Sequence, residues 1–208
     1  MVTIQRTDLD HLLTHLTHKG YTLVGPTLSG GNLILDEIHS SADLPAGWTD
    51  EQAPGKYRLA KRDDAALFGH SVGAHSWKRF LFPPTTTLVE ARRQGRRIEC
   101  STADPTAARS APPKYAFIGV TPCELAAIRI QDKVFLQSGT VDPVYKARRE
   151  QLFIVVAQCT RAAGTCFCTS MGTGPAAERG FDIALTEVTN RSHYFVAESG
   201  SKRGAQLL

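Results

Sequence analysis

The chain has 208 residues, a formal net charge of +4, and 42% hydrophobic and 21% charged residues, an ordinary composition for a globular protein. No apolar run approaches the roughly 20 residues of a membrane-spanning helix, and the first 18 residues mix Arg, Asp and His, unlike a secretory signal. We therefore expect a cytoplasmic protein, in a compartment where structural disulfides are rare.

The first half of the chain predicts one amphipathic helix followed by strands and loops. The helix has an N-cap at Thr7, a stop at Gly20, and one apolar face formed by Leu9, Leu12, Leu13 and Leu16. A hairpin is expected next, because two apolar runs flank a Gly-Gly turn. The other expected elements are the hairpin strands at 21–25 and 32–38, a loop at 40–55, a strand at 57–61, a short helix at 75–82, and a polar loop at 101–113.

The second half predicts a βαβ unit. A buried strand at 115–120 leads directly into Thr121-Pro122-Cys123-Glu124, which reads as an N-cap, a proline in the first turn and a capping box. The rest of the unit and the tail comprise a second helix at 143–151, a strand at 152–157, two strands at 183–188 and 194–197, and a last short helix. We expect a mixed α/β sheet in one domain, 1–208, with a candidate subdomain boundary at 101–113 and a parallel, right-handed βαβ unit carrying the cysteine site.

Four of the five cysteines fall at one predicted edge of this sheet. Cys123 lies in the first turn of a helix that begins at the carboxyl end of one strand, and Cys159 follows the carboxyl end of the next. Cys166 and Cys168 follow in a Gly-containing loop that can fold back over the edge. A helix N-terminus favours anions, so we expect Cys123 to ionise more easily than a free thiol. The sequence therefore predicts one metal centre bound by these four thiolates.

The residues alone leave the chemistry of this centre open. Four thiolates suit an iron–sulfur cluster or zinc, and the cysteines could also be ordinary buried residues. Cys100 stands apart, between Glu99 and a polar loop, and we expect it to be a bystander. The sequence has no P-loop, no G-x-G-x-x-G motif after a strand and no hydrolase motif, so any NAD(P) or flavin chemistry is expected on another subunit.

Several longer motifs resemble one known family. They are GVTPCELAAI at 119–128, CFCTSMGTGP at 166–175, GFDIALTE at 180–187 and WKRFLFPP at 77–84. They are similar to the β subunit of cytosolic sulfhydrogenases, which are NAD(P)-linked nickel–iron hydrogenases, and to the related A subunit of anaerobic sulfite reductase. The resemblance covers nearly the whole chain, and its second motif is highly specific.

The resemblance implies a non-catalytic electron-transfer subunit. It implies a [4Fe–4S] cluster bound by Cys123, Cys159, Cys166 and Cys168, which relays electrons between a hydrogenase core and a flavin- and NAD(P)H-binding partner. The family's C-terminal ferredoxin-like module, with two C-x2-C-x2-C-x3-C-P runs, is absent from this sequence, so we expect an N-terminal domain alone or a truncated member. The alternatives are an electron-transfer subunit of a sulfite or sulfur reductase, or an assembly module that holds zinc or free thiols.

Two basic clusters are candidate docking surfaces for other subunits. One spans 92–97 and the other spans 146–149, and neither is interleaved with the aromatic residues that a nucleic-acid platform requires. The alternative for each cluster is a solvated surface without a partner. The cluster at 146–149 could also be structural, with Arg148 paired to a nearby carboxylate.

Overall fold

The computed structural model of the chain describes residues 1–71, 73, 75–87, 89–102 and 112–208. Its strands are β1 (Val2–Gln5), β2 (Thr22–Ser29), β3 (Asn32–Glu37), β4 (Trp48–Ala53), β5 (Lys56–Lys61), β6 (Val89–Gln94), β7 (Arg97–Thr102), β8 (Tyr115–Val120), β9 (Phe153–Ala157), β10 (Ile183–Val188) and β11 (Tyr194–Ser199). Its helices are α1 (Leu9–His18), α2 (Lys78–Leu81), α3 (Pro122–Gln137), α4 (Pro143–Gln151) and α5 (Lys202–Ala205).

The main sheet has seven strands in the order β1-β11-β10-β9-β8-β2-β3. Its four central strands, β10, β9, β8 and β2, are parallel neighbours, and the outer pairings are antiparallel. Two separate hairpins, β4–β5 and β6–β7, lie outside this sheet. The predicted mixed α/β class is therefore confirmed, as is the parallel pairing of the two strands of the βαβ unit, β8 and β9.

Both faces of the central strands are buried, as expected for parallel strands covered by helices. Along β8, Ala116 and Ile118 pack into one core with the leucines of α1, whereas Phe117 and Val120 pack into the other with residues of α3 and α4. The alternation from Ala116 to Ile118 follows from the two-residue period of a strand, and an irregularity after Ile118 then turns Val120 to the face of Phe117. The two cores fix the positions of β8 and β9, and hence the edge from which Cys123 and Cys159 project.

A bulge interrupts β8 just before the site. The pairing of β8 with β9 shifts between Ile118 and Val120, and Gly119 has a φ of +82°, in the left-handed region. A Cβ at Gly119 would come within 2.5 Å of the Phe68 ring. Glycine is therefore required twice at this position, by the backbone conformation and by the close approach of an aromatic side chain.

Several predicted elements are confirmed, and three details are wrong. The four leucines of α1 are buried, and α3 begins with the predicted capping box, in which Thr121 and Glu124 each accept from the other's backbone N–H. Thr7 does not cap α1, because a 3-10 turn (Arg6–Asp8) precedes the helix. The expected loop at 40–55 contains the strand β4, and the expected loop at 101–113 begins with the end of β7. Residues 103–111 of that loop and candidate boundary lie outside the described residues.

Candidate metal centre

The strand–helix junction after β8 positions Cys123. The capping box at Thr121 begins α3, and Cys123 is its second residue, with its Sγ 3.3 Å from Thr121 Oγ1. Burial raises the pKa of the Cys123 thiol, and the neighbouring Glu124 and Cys168 raise it further, whereas the Thr121 hydroxyl lowers it. This direction of the pKa is opposite to the easy ionisation expected of Cys123, because desolvation is the largest of these effects.

Cys159 lies at the same edge, two residues after β9. Its backbone N–H donates to the carbonyl oxygen of Pro175 at 3.2 Å, which ties the end of β9 to the cysteine loop. Its thiol donates to the carbonyl oxygen of Arg161 at 3.0 Å. Burial is the main cause of a raised pKa at Cys159, and nearby Cys166 and Cys168 contribute to it.

Cys166 and Cys168 lie in a compact loop, which we call the cysteine loop (159–175). The Cys166 thiol accepts from the backbone N–H of Ala163 at 3.2 Å, and the carbonyl oxygen of Cys168 accepts from Thr173 N–H at 2.9 Å. A Cβ at Gly174 would lie 3.1 Å from Cys168 Sγ, so this glycine leaves room beside the sulfur. Cys166 is exposed and Cys168 is half-buried.

All four predicted cysteines line one cavity of about 370 Å³, together with apolar and small residues of α3 and the cysteine loop. Two chain segments, the start of α3 and the cysteine loop, contribute these thiols, so the fold brings together residues that are up to 45 positions apart, from Cys123 to Cys168. Cys100 lies on the exposed strand β7 and is not among the cavity's lining residues. In the described part of the chain, no three His, Cys, Asp or Glu side chains are arranged to hold a single metal ion.

The hairpin β4–β5 clamps the cysteine loop from outside the main sheet. The Arg161 guanidinium donates to Thr49 Oγ1 at 2.7 Å and to the Asp50 carbonyl oxygen at 2.8 Å. The fully buried Asp50 carboxylate accepts from the N–H and hydroxyl of Ser71. Thr165 is hydrogen-bonded to Gln52, and a Cβ at Gly164 would lie 2.6 Å from the Gln52 carbonyl oxygen. Sequence reasoning missed this clamp, because polar residues 49–52 lack the apolar alternation of a recognisable strand.

A buried carboxylate fixes the segment beneath the cavity. Glu187 accepts from the backbone N–H groups of Leu67 at 2.7 Å and Phe68 at 2.9 Å, and its carboxylate is 2.7 Å from His193 Nε2. This anchoring holds Phe68 against the bulge of β8, where both line the cavity.

His70 is a cavity residue that the sequence did not single out. Its Nδ1 is 3.1 Å from the Ser71 carbonyl oxygen, which only accepts, so Nδ1 carries the proton. Its Nε2 is buried and has no hydrogen-bond partner among the described residues. Burial lowers the pKa of His70, and the hydrogen bond to Ser71 opposes this with a smaller effect. The lowered pKa favours the neutral ring. No motif marked this histidine, because its segment reaches the cavity only through the tertiary fold.

The arginines of α4 have structural partners. Arg149 forms an ion pair with Asp132 of α3 at 2.9 Å, and Arg148 donates to the Phe80 carbonyl oxygen at 2.6 Å. The buried Tyr145 also donates to Asp132, and burial, followed by this bond, strongly raises the pKa of its hydroxyl. Two residues of the basic cluster at 146–149, Arg148 and Arg149, therefore bind other parts of the chain, which was the expected alternative to a docking role. The partner of Arg148 is a carbonyl oxygen rather than the expected carboxylate.

Comparison with known proteins gives a match over part of the chain. Over 95 residues, the chain is 38% identical to sulfhydrogenase 2 subunit beta of Pyrococcus furiosus. This chain is similar to a hydrogenase β subunit. The matched stretch covers 46% of the chain and 27% of the relative's length. No protein-family model and no solved structure matches the chain. Within the described residues, no helix is both long and apolar enough to cross a membrane.

Proposed function

We propose that the chain is an iron–sulfur electron-transfer subunit of a hydrogenase complex. In this role Cys123, Cys159, Cys166 and Cys168 bind one [4Fe–4S] cluster, which relays electrons between a hydrogenase core and a flavin- and NAD(P)H-binding subunit. The observation that carries the proposal is one cavity lined by four thiols from two segments of the chain, the start of α3 and the cysteine loop. The similarity to a sulfhydrogenase β subunit supplies the class of complex.

The donor set and the surroundings of the cavity fit such a cluster. All four predicted donors are sulfur, the ligand that iron–sulfur clusters prefer. Gly174 leaves space beside Cys168, and the lining of the cavity is mostly apolar. When bound, the cluster supplies one-electron chemistry, and the residues of this chain hold it, shield it and set its potential through burial and hydrogen bonds to sulfur.

The choice of a cluster over a single zinc ion rests on the resemblance of the cysteine motifs to a sulfhydrogenase β subunit, because four thiolates can bind either. In a zinc site the four thiolates converge on one ion, whereas in a four-iron cluster each thiolate binds a different iron atom.

The test is spectroscopic and uses the full chain purified without oxygen. The proposal predicts broad visible absorption that bleaches on reduction, together with an EPR signal of a reduced iron–sulfur cluster. Colourless protein with bound zinc would contradict it and would favour the assembly-module alternative. If the cluster is present, co-purification with hydrogenase subunits, rather than with those of a sulfite or sulfur reductase, tests the assignment of the complex.

A further inference from the structure

The helix α3 has apolar residues on two opposite faces. Leu125 and Ile128 are buried in the core beside the main sheet, whereas Ile130 and Val134 are 61% and 54% exposed. Ile130 and Val134 follow Cys123 by about two and about three helical turns, so all three residues share one face of the helix. An apolar stripe therefore runs outward along α3 from the candidate ligand Cys123.

The cysteine loop extends this stripe. Phe167, between two of the candidate ligands, is 70% exposed, and Met171 is 64% exposed. Both line the cavity of the four thiols, as does Ile130. We call Ile130, Val134, Phe167 and Met171 the apolar rim. Since exposed side chains line the cavity here, the rim marks where the site reaches the protein surface. Contiguous exposed apolar side chains of this kind are typical of interaction sites.

Positive charge flanks one side of the apolar rim. Lys133 is exposed on α3 and follows Ile130 by three residues, so it neighbours the stripe, whereas the exposed Arg129 lies one turn before Lys133 and farther around the helix. Neither forms a salt bridge with any residue that the structure describes. The acidic residue between them, Asp132, is already neutralised by the ion pair with α4. The loop beside Arg129 adds one exposed charge of each sign, Glu178 and Arg179, so this side of the rim is basic and fits carboxylates.

We propose that the apolar rim is the docking surface of the electron-transfer partner. The partner that fits it is a redox protein whose own cofactor lies behind an apolar surface bordered by carboxylates, which face Arg129 and Lys133. The inference rests on the proposed function, because electrons must enter or leave where the cluster cavity reaches the surface. The basic border steers and orients the partner, and the apolar rim holds it close to the cavity.

The test measures electron transfer from the reduced, cluster-loaded full chain to two simple acceptors. One acceptor is plastocyanin, an acidic copper protein, and the other is cytochrome c, a basic haem protein. In each reaction the reduced cluster loses one electron, which converts Cu²⁺ to Cu⁺ or Fe³⁺ haem to Fe²⁺ haem. The second-order rate constant is measured by stopped-flow absorption at low and high salt. We expect the rate with plastocyanin to fall as salt rises, because screening weakens the attraction.

The basic border is tested by paired charge reversals. Arg129→Glu with Lys133→Glu should lower the rate with plastocyanin at low salt roughly tenfold and raise the rate with cytochrome c. The control, Lys19→Glu with Arg191→Glu, changes the net charge by the same amount on other exposed elements and should have a much smaller effect. Equal effects of the two pairs would show that only the net charge matters, and would overturn the proposal.

The apolar rim is tested in the same way. Ile130→Ser with Val134→Ser should lower the rate with plastocyanin at least threefold at high salt, where apolar contact dominates. The control, Val89→Ser with Ile98→Ser, alters two similarly exposed side chains of the hairpin β6–β7 and should leave the rate unchanged. Equal rates for the two variants would refute the docking surface.

Two further measurements separate this inference from the function on which it rests. Iron content and visible absorption are recorded for every variant, and wild-type protein without a cluster would refute the proposed function itself. A cluster-loaded protein that fails the comparisons above refutes only the docking surface. Sedimentation of the wild type and of Ile130→Ser with Val134→Ser tests for self-association. A dimer that the substitutions dissociate would make a second copy the occupant and would overturn the proposal.

Discussion

Replacing Arg161 by Ala should loosen the cysteine loop from the hairpin β4–β5. The guanidinium makes two hydrogen bonds, at 2.7 Å to Thr49 and 2.8 Å to the Asp50 carbonyl oxygen, and lies 3.8 Å from the Asp50 carboxylate. Its side chain is 37% exposed, so water screens these interactions. We therefore assign about 1 kcal/mol to each hydrogen bond, below the range for buried charged groups. The loss of about 2 kcal/mol makes the open loop roughly 30-fold more populated.

The assay is the release of iron from the cluster-loaded protein to a ferrous chelator, followed as the loss of visible absorption. Where loop opening precedes release, Arg161→Ala should accelerate it roughly 30-fold. Arg161→Lys should have a smaller effect, since lysine can retain one of the two hydrogen bonds. Arg191→Ala, which removes an exposed arginine, should release iron at the wild-type rate.

A second control separates local opening from general instability. Leu12 is buried in the core on the α1 side of the sheet, and Leu12→Ala should lower the free energy of unfolding by about 2–5 kcal/mol. It should nevertheless leave iron release nearly unchanged, because it does not touch the cysteine loop. Wild-type release from Arg161→Ala, or equal acceleration by Leu12→Ala, would refute the role of the clamp.

Three further predictions concern the ligands, the β8 bulge and α4. Replacing any one of the candidate ligands Cys123, Cys159, Cys166 and Cys168 by Ser should lower the bound iron and the visible absorption, whereas Cys100→Ser should change neither. Bleaching by Cys100→Ser would contradict this ligand assignment. Gly119→Ala should lower the free energy of unfolding by about 2–5 kcal/mol in urea titrations, because it adds left-handed strain and a clash with Phe68; an unchanged midpoint would contradict this. Arg149→Glu should lower it by about 2–3 kcal/mol, since two carboxylates would then face each other at Asp132; full stability with altered partner binding would instead favour a docking role.

Local signals in the sequence predicted the part of the site that belongs to the βαβ unit. The capping box at Thr121 and the apolar run before it place Cys123 at a strand–helix junction, and the parallel pairing of β8 with β9 brings Cys159 to the same edge. Capping and apolar periodicity depend on residues close in sequence, so one chain is enough to read them.

Local signals could not predict the contacts between the hairpin β4–β5 and the cysteine loop, or the segment at 67–70 beneath the cavity. Strand β4 buries Asp50 because Ser71, far along the chain, satisfies its carboxylate. The cap expected at Thr7 would have used Asp10, three residues on, as its partner, but Asp10 accepts instead from the N–H and hydroxyl of Ser41 in a distant turn. His70 likewise joins the cavity through the anchoring of its segment by Glu187. Each case depends on a long-range polar contact, for which a single sequence carries no periodic signal.

The content of iron, acid-labile sulfide and zinc per chain, in protein purified without oxygen, tests whether the four thiols lining the cavity hold a four-iron cluster. We expect about four iron and about four sulfide per chain, with little zinc. One zinc per chain without iron or sulfide would contradict it.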